Sequence, residues 1–252
     1  MYESNVQFRL SIRNAICQMI NEMNPLENNR LPSERTLATQ LNVSRATIRS
    51  VLADLAAEGR IIRRQGNGTF INLAAYKSKA ALYPMEYYWN IIQSYGYTPR
   101  IQVIDLQLVD GYPNMRTALH VKEDKLVLLR RVYLANDNPC IYCLDIFPYY
   151  LIEGRNFDSS RQCSIFQLLY EACGLTILWA DVKIRAMDTS EEPTVDQVIN
   201  QMKRTPNPIL KFQNTCYDKK DHPVLYTESF FKTDIIEFSY IQQYGIGRTI
   251  DT

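Results

Sequence analysis

The segment from Leu31 to Ile71 constrains the fold of this chain more than any other part of the sequence. Ser33 is placed to cap one short helix and Ser44 a second, because a serine hydroxyl satisfies free amides of a first helical turn. Residues 42–43 predict a tight turn between the helices, and Gly59 ends the second one. The apolar residues at helical spacing are Leu37, Ala38 and Leu41 in the first helix, and Ile48, Val51, Leu52 and Leu55 in the second.

A basic hairpin is predicted directly after these two helices. Residues 61–62 start one strand, residues 63–68 form the tip, and residues 69–71 return. Gly66 and Gly68 permit positive φ and let the backbone come close to a groove or a phosphate. Two helices, a polar turn and a glycine-tipped hairpin are the layout of a winged helix-turn-helix, which indicates binding to duplex DNA.

The start of the second helix carries the side chains expected to read bases. Arg45, Thr47 and Arg49 lie outside its apolar stripe, and a recognition helix enters the major groove with its N-terminal residues. An arginine fork suits guanine, and a threonine suits thymine or a phosphate. The alternative for a single arginine is a solvated helix face, but five arginines would share one surface here. They are Arg35, Arg45, Arg49, Arg63 and Arg64.

Over roughly residues 5–72, the sequence resembles the DNA-binding domain of the GntR family of bacterial transcription regulators. The matching runs are Leu31-Pro32-Ser33-Glu34-Arg35, Val43-Ser44-Arg45 with Thr47 and Arg49, and Arg63-Arg64-Gln65-Gly66 with Gly68-Thr69-Phe70. The resemblance implies that several of these residues touch DNA and that the wing glycines approach the minor groove. The candidate DNA-binding residues are Ser33, Arg35, Ser44, Arg45, Thr47, Arg49, Arg64, Gln65, Gly66 and Gly68.

Positive charge is concentrated at the front of the chain. Residues 1–72 hold nine Lys and Arg against six Asp and Glu, whereas the whole chain of 252 residues has a net charge of only +1. This distribution suits a DNA reader joined to a domain with another task. Neither an apolar run of membrane-spanning length nor a signal-peptide core occurs in the sequence, so we expect a cytoplasmic protein without a membrane partner.

The six cysteines are scattered and predict neither a metal site nor a disulfide. Cys140 and Cys143 have a C-x-x-C spacing but fall in a predicted strand, where positions three apart face opposite sides. Reduced thiols in a cytosolic protein are the simpler interpretation. We expect no metal and no cofactor.

The rest of the sequence predicts an α+β domain with an antiparallel sheet. Alternating patterns predict strands near 101–109, 125–136, 140–149, 179–188, 208–218 and 223–233. Turn residues at 136–139 and 218–223 indicate hairpins between neighbouring strands. Strands joined mostly by hairpins, with helices between some of them, are typical of this fold class.

Four helices are predicted around these elements. One steps through Phe8, Ile12, Ala15, Ile16, Met19 and Ile20, and the others cover 84–95, 164–173 and 191–202. Ser164 caps the helix over 164–173 and Gly174 stops it, while Thr189 or Ser190 precedes the last helix. The predicted domains are a winged helix-turn-helix over 1–72, a linker over 73–81 and an α+β domain over 82–252.

The second half resembles the UTRA effector-binding domain of the HutC subfamily, whose fold is like that of chorismate lyase. The matching runs are Leu129 to Pro139, Ser164 to Leu169 and Pro223 to Asp234. The resemblance implies that this domain binds a small metabolite and dimerises the protein. The resemblance also implies that Ser164 and the start of its helix contact an anionic group of the ligand. Arg131 would contribute to the same anion site.

This sequence departs from the pattern of family members that bind sugar phosphates. Their second arginine is replaced by Tyr133, and their two acids by Cys143 and Leu225. Aromatic residues in the same neighbourhood favour a more apolar or ring-bearing ligand, although they also suit a protein core. The candidate effector-binding residues are Arg131, Tyr133, Cys143, Ser164, Phe166, Thr227 and Phe231.

These features predict a dimeric transcription factor with two partners, a double-stranded DNA operator and a small-molecule effector. Repression relieved by the effector is expected, and activation is the alternative regulatory sign. Another alternative is a DNA-binding regulator with a vestigial pocket and no effector. Catalysis is not predicted, because fold does not carry function and the two histidines, His120 and His222, belong to no recognisable catalytic arrangement.

Overall fold

The structure is a computed structural model, and it divides into two compact units. One unit comprises residues 1–86 and 238–252, and the other comprises residues 87–237. The residues that the structure describes are 2–64, 66–77, 87–110, 113–121, 125–199 and 208–239. No helix in these described ranges has the length and apolarity that crossing a membrane requires.

The first unit is a winged helix-turn-helix, as predicted. Its elements are α1 (Tyr2–Glu22), α2 (Glu34–Gln40), α3 (Arg45–Ala57), β1 (Ile61–Arg64), β2 (Gly68–Ile71) and α4 (Leu73–Lys77). Ile16 of α1, Leu37 of α2 and the stripe of Ile48, Leu52 and Leu55 on α3 are completely buried in one apolar core. Burial of this stripe leaves the other side of α3 to solvent.

Two predictions around the hairpin need correction. Arg63 and Arg64 lie in β1 and not in the tip, because the hairpin stays paired as far as Arg64 opposite Gly68. The predicted linker begins with a short helix, α4, although the sequence there has no strong helical period. Gln65 and the linker residues 78–81 lie outside the described residues.

The second unit is built on a six-stranded sheet in which every neighbouring pair is antiparallel, which confirms the predicted fold class. Its order is β3-β4-β5-β8-β7-β6. The strands are β3 (Pro99–Val109), β4 (Leu126–Ala135), β5 (Asn138–Pro148), β6 (Trp179–Asp188), β7 (Pro208–Tyr217) and β8 (Pro223–Lys232). The helices are α5 (Tyr88–Ser94), α6 (Pro113–Ala118), α7 (Ile165–Cys173) and α8 (Pro193–Ile199).

The two faces of this sheet pack against different helices. On one face, Leu129, Phe147 and Leu225 pack against Leu168 and Leu169 of α7, and we call it the α7 face. On the other, the α8 face, Tyr142 and Phe230 pack with Val195 and Ile199 of α8. Because side chains alternate along a strand, each residue is assigned to a face by its register.

Caps and turns follow the sequence closely, with one exception. The predicted turn at 136–139 is tight, with positive φ at Asn136 and Asp137, and Gly174 ends α7 at φ 70°. The predicted cap at Thr189 or Ser190 is wrong. Asp188 accepts from the Ser190 amide and caps a 3₁₀ turn over Thr189–Glu191, which precedes α8.

Candidate nucleic-acid interface and ligand site

The first turn of α3 is fixed by its cap. The Ser44 hydroxyl lies 3.1 Å from the Thr47 amide, which donates to it, and 2.8 Å from the Thr47 hydroxyl. Ser33 caps α2 in the same way through the Thr36 amide, also at 3.1 Å. Thr47 is therefore half-buried beside its cap, and Arg45 and Arg49 are exposed on either side of it.

An acid that the sequence analysis did not single out, Glu34, joins three elements of this surface. Its Oε2 atom accepts from Nε and Nη2 of Arg49 on α3, each at 3.3 Å. Its Oε1 atom accepts from Nη2 of Arg63 on β1 at 2.5 Å. Glu34 itself begins α2, so one carboxylate links the recognition helix to the wing. The sequence signal that could have identified Glu34 is an acidic residue within a run of predicted DNA-contacting residues.

The wing is stiffened by contacts to Phe70. The Arg64 guanidinium lies 4.9 Å from the centre of the Phe70 ring, and that of Arg30 lies 6.0 Å from it. Gly66 and Gly68 have φ values of 77° and 110°, which other residues rarely adopt. The predicted need for glycine at these two positions is thus met.

The remaining cations of this surface are available to phosphates. Arg35 and Arg45 are exposed and have no ion-pair partner among the residues that the structure describes. With Arg49, Arg63 and Arg64, which are also exposed, they give the unit an arginine-rich surface around α2, α3 and β1. Such a surface suits the phosphates and guanine edges of duplex DNA.

In the second unit, polar side chains in two adjacent rows cross the α7 face of the sheet. Register places Arg131, Cys143 and Ser229 opposite one another on β4, β5 and β8. It places Asp145, Thr227 and Asn214 in the adjacent row on β5, β8 and β7. We call these six residues the polar row. All six are buried, which is unusual for polar side chains and makes their hydrogen-bond partners decisive.

Arg131 is paired inside the protein. Its Nε and Nη2 atoms donate to Oδ2 of Asp145 at 3.2 and 2.8 Å, and its Nη1 atom donates to the Cys163 carbonyl at 2.9 Å. Only 1% of Arg131 and 2% of Asp145 are exposed. Burial raises the pKa of the Asp145 carboxyl, and the guanidinium offsets part of that rise because it stabilises the charged form.

Two of the predicted pocket aromatics, Tyr133 and Phe231, form a cluster with Tyr88 at one end of the polar row. Tyr88 of α5 packs edge-on against Tyr133 and Phe231, with ring centres 5.5 and 5.1 Å apart. Its hydroxyl donates to Ser229 at 2.9 Å. Burial raises the pKa of the Cys143 thiol, so Cys143 is a neutral neighbour of this cluster. Tyr133, Phe231 and Cys143 are thus brought together, but as tightly packed side chains.

Ser164 and Phe166 lie at the start of α7. The Ser164 hydroxyl accepts from the Gln167 amide at 3.2 Å, which confirms the predicted cap. Its neighbour Cys163 receives the Arg131 hydrogen bond, so the helix start adjoins the polar row. Phe166 is 38% exposed, and none of the contacts in the described part of the chain brings it to the row.

Thr227 is hydrogen-bonded to Asn214, a residue that the sequence analysis missed. The Asn214 side-chain amide donates to the Thr227 hydroxyl at 3.0 Å, and both residues are buried. Asp145, Ser229 and Tyr88 were missed as well. For Asp145 and Asn214 the signal was a polar residue on the same strand face as a run of apolar ones, at a spacing of two.

An exposed arginine surface on a winged helix, together with a separate sheet unit holding a buried polar row, defines a two-domain regulator. Residues 8–71 match the family model described as bacterial regulatory proteins, gntR family. Residues 94–237 match the UTRA domain. The chain belongs to the GntR family of bacterial regulatory proteins and carries a UTRA domain, so it belongs among regulators and not among enzymes.

Relatives named as transcriptional regulators agree with this assignment. The chain is 28% identical to the HTH-type transcriptional repressor NagR of Bacillus subtilis over 210 residues, which cover 82% of this chain and 83% of that protein. It is 36% identical to the histidine utilization repressor of Pseudomonas aeruginosa over 113 residues, 44% of each chain. It is 34% identical to the uncharacterized HTH-type transcriptional regulator YurK of Bacillus subtilis over 125 residues, 47% of this chain and 51% of that one.

Solved structures share the fold. The possible transcriptional regulator YydK from Bacillus subtilis has a TM-score of 0.69 at 20% identity, covering 93% of this chain and 99% of that chain. PhnF from Mycobacterium smegmatis has a TM-score of 0.56 at 18% identity, covering 93% of this chain and 100% of that one.

Proposed function

We propose that this protein is a homodimeric transcriptional repressor that releases its operator when a small molecule binds at the α7 face. The observation that carries the DNA-binding half is the exposed arginine surface on a capped α3 and its wing. Relatives named as repressors support the regulatory sign. The predicted DNA-contacting residues belong to this proposal, led by Arg35, Arg45 and Arg49.

A dimer is part of the proposal because one recognition surface is small. The unit's charge excess is modest, so tight binding needs two copies on two half-sites. A two-fold protein places its recognition helices about one helical turn, 10 base pairs, apart on a near-palindromic operator. The UTRA unit is the proposed site of dimerisation.

The DNA-binding half is tested by selecting bound duplexes from a random pool and footprinting the selected sequence. Two inverted half-sites with centres about 10 base pairs apart, or a multiple of that, are expected. Light scattering of the free protein should give twice the 29.3 kDa mass of one chain. One protected half-site and a 29.3 kDa particle would contradict the dimer but leave DNA binding intact.

The effector half is tested on the selected operator. A small molecule that lowers operator affinity must bind the DNA-free arrangement more tightly than the DNA-bound one. Titration of metabolite pools against the labelled complex, followed by fractionation of any active pool, measures this directly. A complex that no pool weakens would replace the proposal by a regulator with a vestigial pocket.

A further inference from the structure

We infer that the α7 face takes an uncharged, hydroxyl-bearing small molecule and not a phosphate ester or another anion. This inference rests on the proposed function, because it names the chemistry of the proposed effector. Two observations carry it: the internal pairing of the row's cation, and a buried amide oxygen that has no partner.

The charge of the α7 face is already balanced. Among the described residues of the six strands and of helices α5 and α7, Arg131 is the only cation that register or packing places on this face. Asp145 accepts two of its hydrogen bonds and the Cys163 carbonyl a third. An incoming phosphate would therefore meet an ion pair with no net charge, one member of which is a carboxylate. The attraction to Arg131 would be too weak to offset the free energy of removing the phosphate from water.

One polar atom on this face is left without a partner. Asn214 Oδ1 is buried and accepts no hydrogen bond, and it is the only such side-chain atom on the α7 face among the described residues. The other end of the same amide donates to Thr227 at 3.0 Å. Asn214 as a whole is 7% exposed. A buried acceptor without a donor is costly, so it marks a position where a ligand's donor would be stabilising.

A ligand hydroxyl is the group that fits this atom best. A hydroxyl both donates and accepts, so it can complete the Asn214 amide while receiving a hydrogen bond from the Thr227 hydroxyl. The two side chains lie directly opposite each other on β7 and β8. The ionised phosphate group of a monoester offers only acceptors, so it could not satisfy Asn214 Oδ1, which a hydroxyl must do.

The neighbouring strand, β6, presents exposed apolar side chains beside this position. Val182 on β6 lies opposite Asn214, and Ile184 lies opposite Phe212, so both are on the α7 face. Each is 47% exposed, although Asn214 one strand further in is buried. Apolar side chains beside a hydrogen-bonding amide suit the carbon face of a hydroxylated ring, as in a sugar or cyclitol.

Matched pairs of probes test the charge requirement. Full-length protein is titrated by calorimetry with glucose and glucose 6-phosphate, ribose and ribose 5-phosphate, and myo-inositol and inositol 1-phosphate, with inorganic phosphate alone as the ion control. We expect at least one uncharged member to bind at least tenfold more tightly than its phosphate ester. Tighter binding of every ester that binds, or silence of all the uncharged members, would overturn the inference.

A pair of variants tests the position. Asn214→Leu should weaken binding of the uncharged probe by about tenfold or more, the effect of one lost buried hydrogen bond. Gln213→Leu makes the same amide-to-apolar change one residue away on the α8 face and should leave binding unchanged. Equal loss in both variants, with unchanged melting temperatures, would place the probe elsewhere and overturn the assignment of Asn214.

The operator assay separates this inference from the proposed function. An uncharged probe that binds through Asn214 without weakening the operator complex would support the inference and contradict the repressor mechanism. A phosphate ester that weakens the operator complex would support the mechanism and overturn the inference, and loss of its effect in Ser164→Ala would place it at the start of α7.

Discussion

The two units of this protein expose their functional side chains to opposite degrees. In the winged unit the arginines lie on the surface of α2, α3 and β1, and water screens their charges. In the sheet unit the polar row lies under α5 and α7, where one unbalanced charge would be far more costly. The same residue type, arginine, therefore serves binding at Arg49 and internal balance at Arg131. Burial, more than residue type, decides what a charged side chain does.

The strongest test of this comparison removes one carboxylate from a buried ion pair and one from an exposed ion pair. Asp145→Asn leaves Arg131 buried without its carboxylate and should destabilise the sheet unit by about 3–5 kcal/mol. Asp137→Asn removes an exposed partner of Arg100, at 2.6 Å, and should cost only about 0–1 kcal/mol. Urea unfolding followed by tryptophan fluorescence reports on this unit, because both tryptophans, Trp89 and Trp179, lie in it.

Equal costs for the two asparagine variants would contradict the buried pair. A double variant, Arg131→Met with Asp145→Leu, adds a further check. Since well-packed apolar residues replace buried ion pairs at little cost, it should regain most of the lost stability.

The second prediction concerns an exposed arginine. Arg49→Ala should weaken operator binding by about 1–3 kcal/mol and relax the preference at one base position. Arg9→Ala is the control, because Arg9 is also exposed and ion-paired, to Asp54 at 2.6 Å, but lies on α1 away from the arginine surface. Fluorescence anisotropy with the selected operator and single-base variants measures both. A wild-type footprint and affinity for Arg49→Ala would remove it from the interface.

The third prediction uses the matched serine caps of the two units. Ser44→Ala and Ser164→Ala each remove a side-chain acceptor from a helix start and should each cost about 0.5–2 kcal/mol of stability. Only Ser44→Ala should also lower operator affinity in the absence of effector, because it loosens the first turn of α3. Thermal melts by circular dichroism and operator titrations provide the two readouts. Equal losses of operator affinity in the two variants would contradict the prediction that only the cap of α3 affects DNA binding.

The smallest effect is expected at Glu34. Glu34→Gln removes the charge that holds Arg49 and Arg63 together, and an exposed ion pair is worth about 0–1 kcal/mol. Affinity for random-sequence DNA should rise by at most a few-fold, because a negative charge near phosphate is lost. Affinity for the operator should rise less or fall. The ratio of the two affinities is the measured quantity, and an unchanged ratio would show that Glu34 does not position the arginines.

The winged unit could be predicted almost completely from its sequence, and the reason is locality. The caps at Ser33 and Ser44 and the buried stripe through Ile48 and Leu55 all depend on residues a few positions apart. The one error in the hairpin, the placement of Arg63 and Arg64, arose because the sequence does not show where pairing stops. Strand ends depend on both partners.

The candidate ligand site was predictable only in part, because it depends on contacts between distant strands. Arg131, Tyr133, Thr227 and Phe231 were found through resemblance, but their partners were not. Asp145 meets Arg131 across a hairpin, and Asn214 meets Thr227 across another, so each contact is set by register. A strand register slipped by one residue would turn the same side chains to the other face. Sequence periodicity gives the face of a strand but not its partner.

The wing hairpin is protected from unwanted pairing on both of its edges. On one side, the segment before α2 adds hydrogen bonds to β2, with Leu31 donating to Thr69 at 2.9 Å and Ile71 donating to Asn29 at 2.6 Å. On the other side, β1 carries Arg63 and Arg64, and charged residues on an edge strand discourage another chain from adding to the sheet. The arginines proposed to attract DNA thus also keep copies of this protein from joining edge to edge and aggregating.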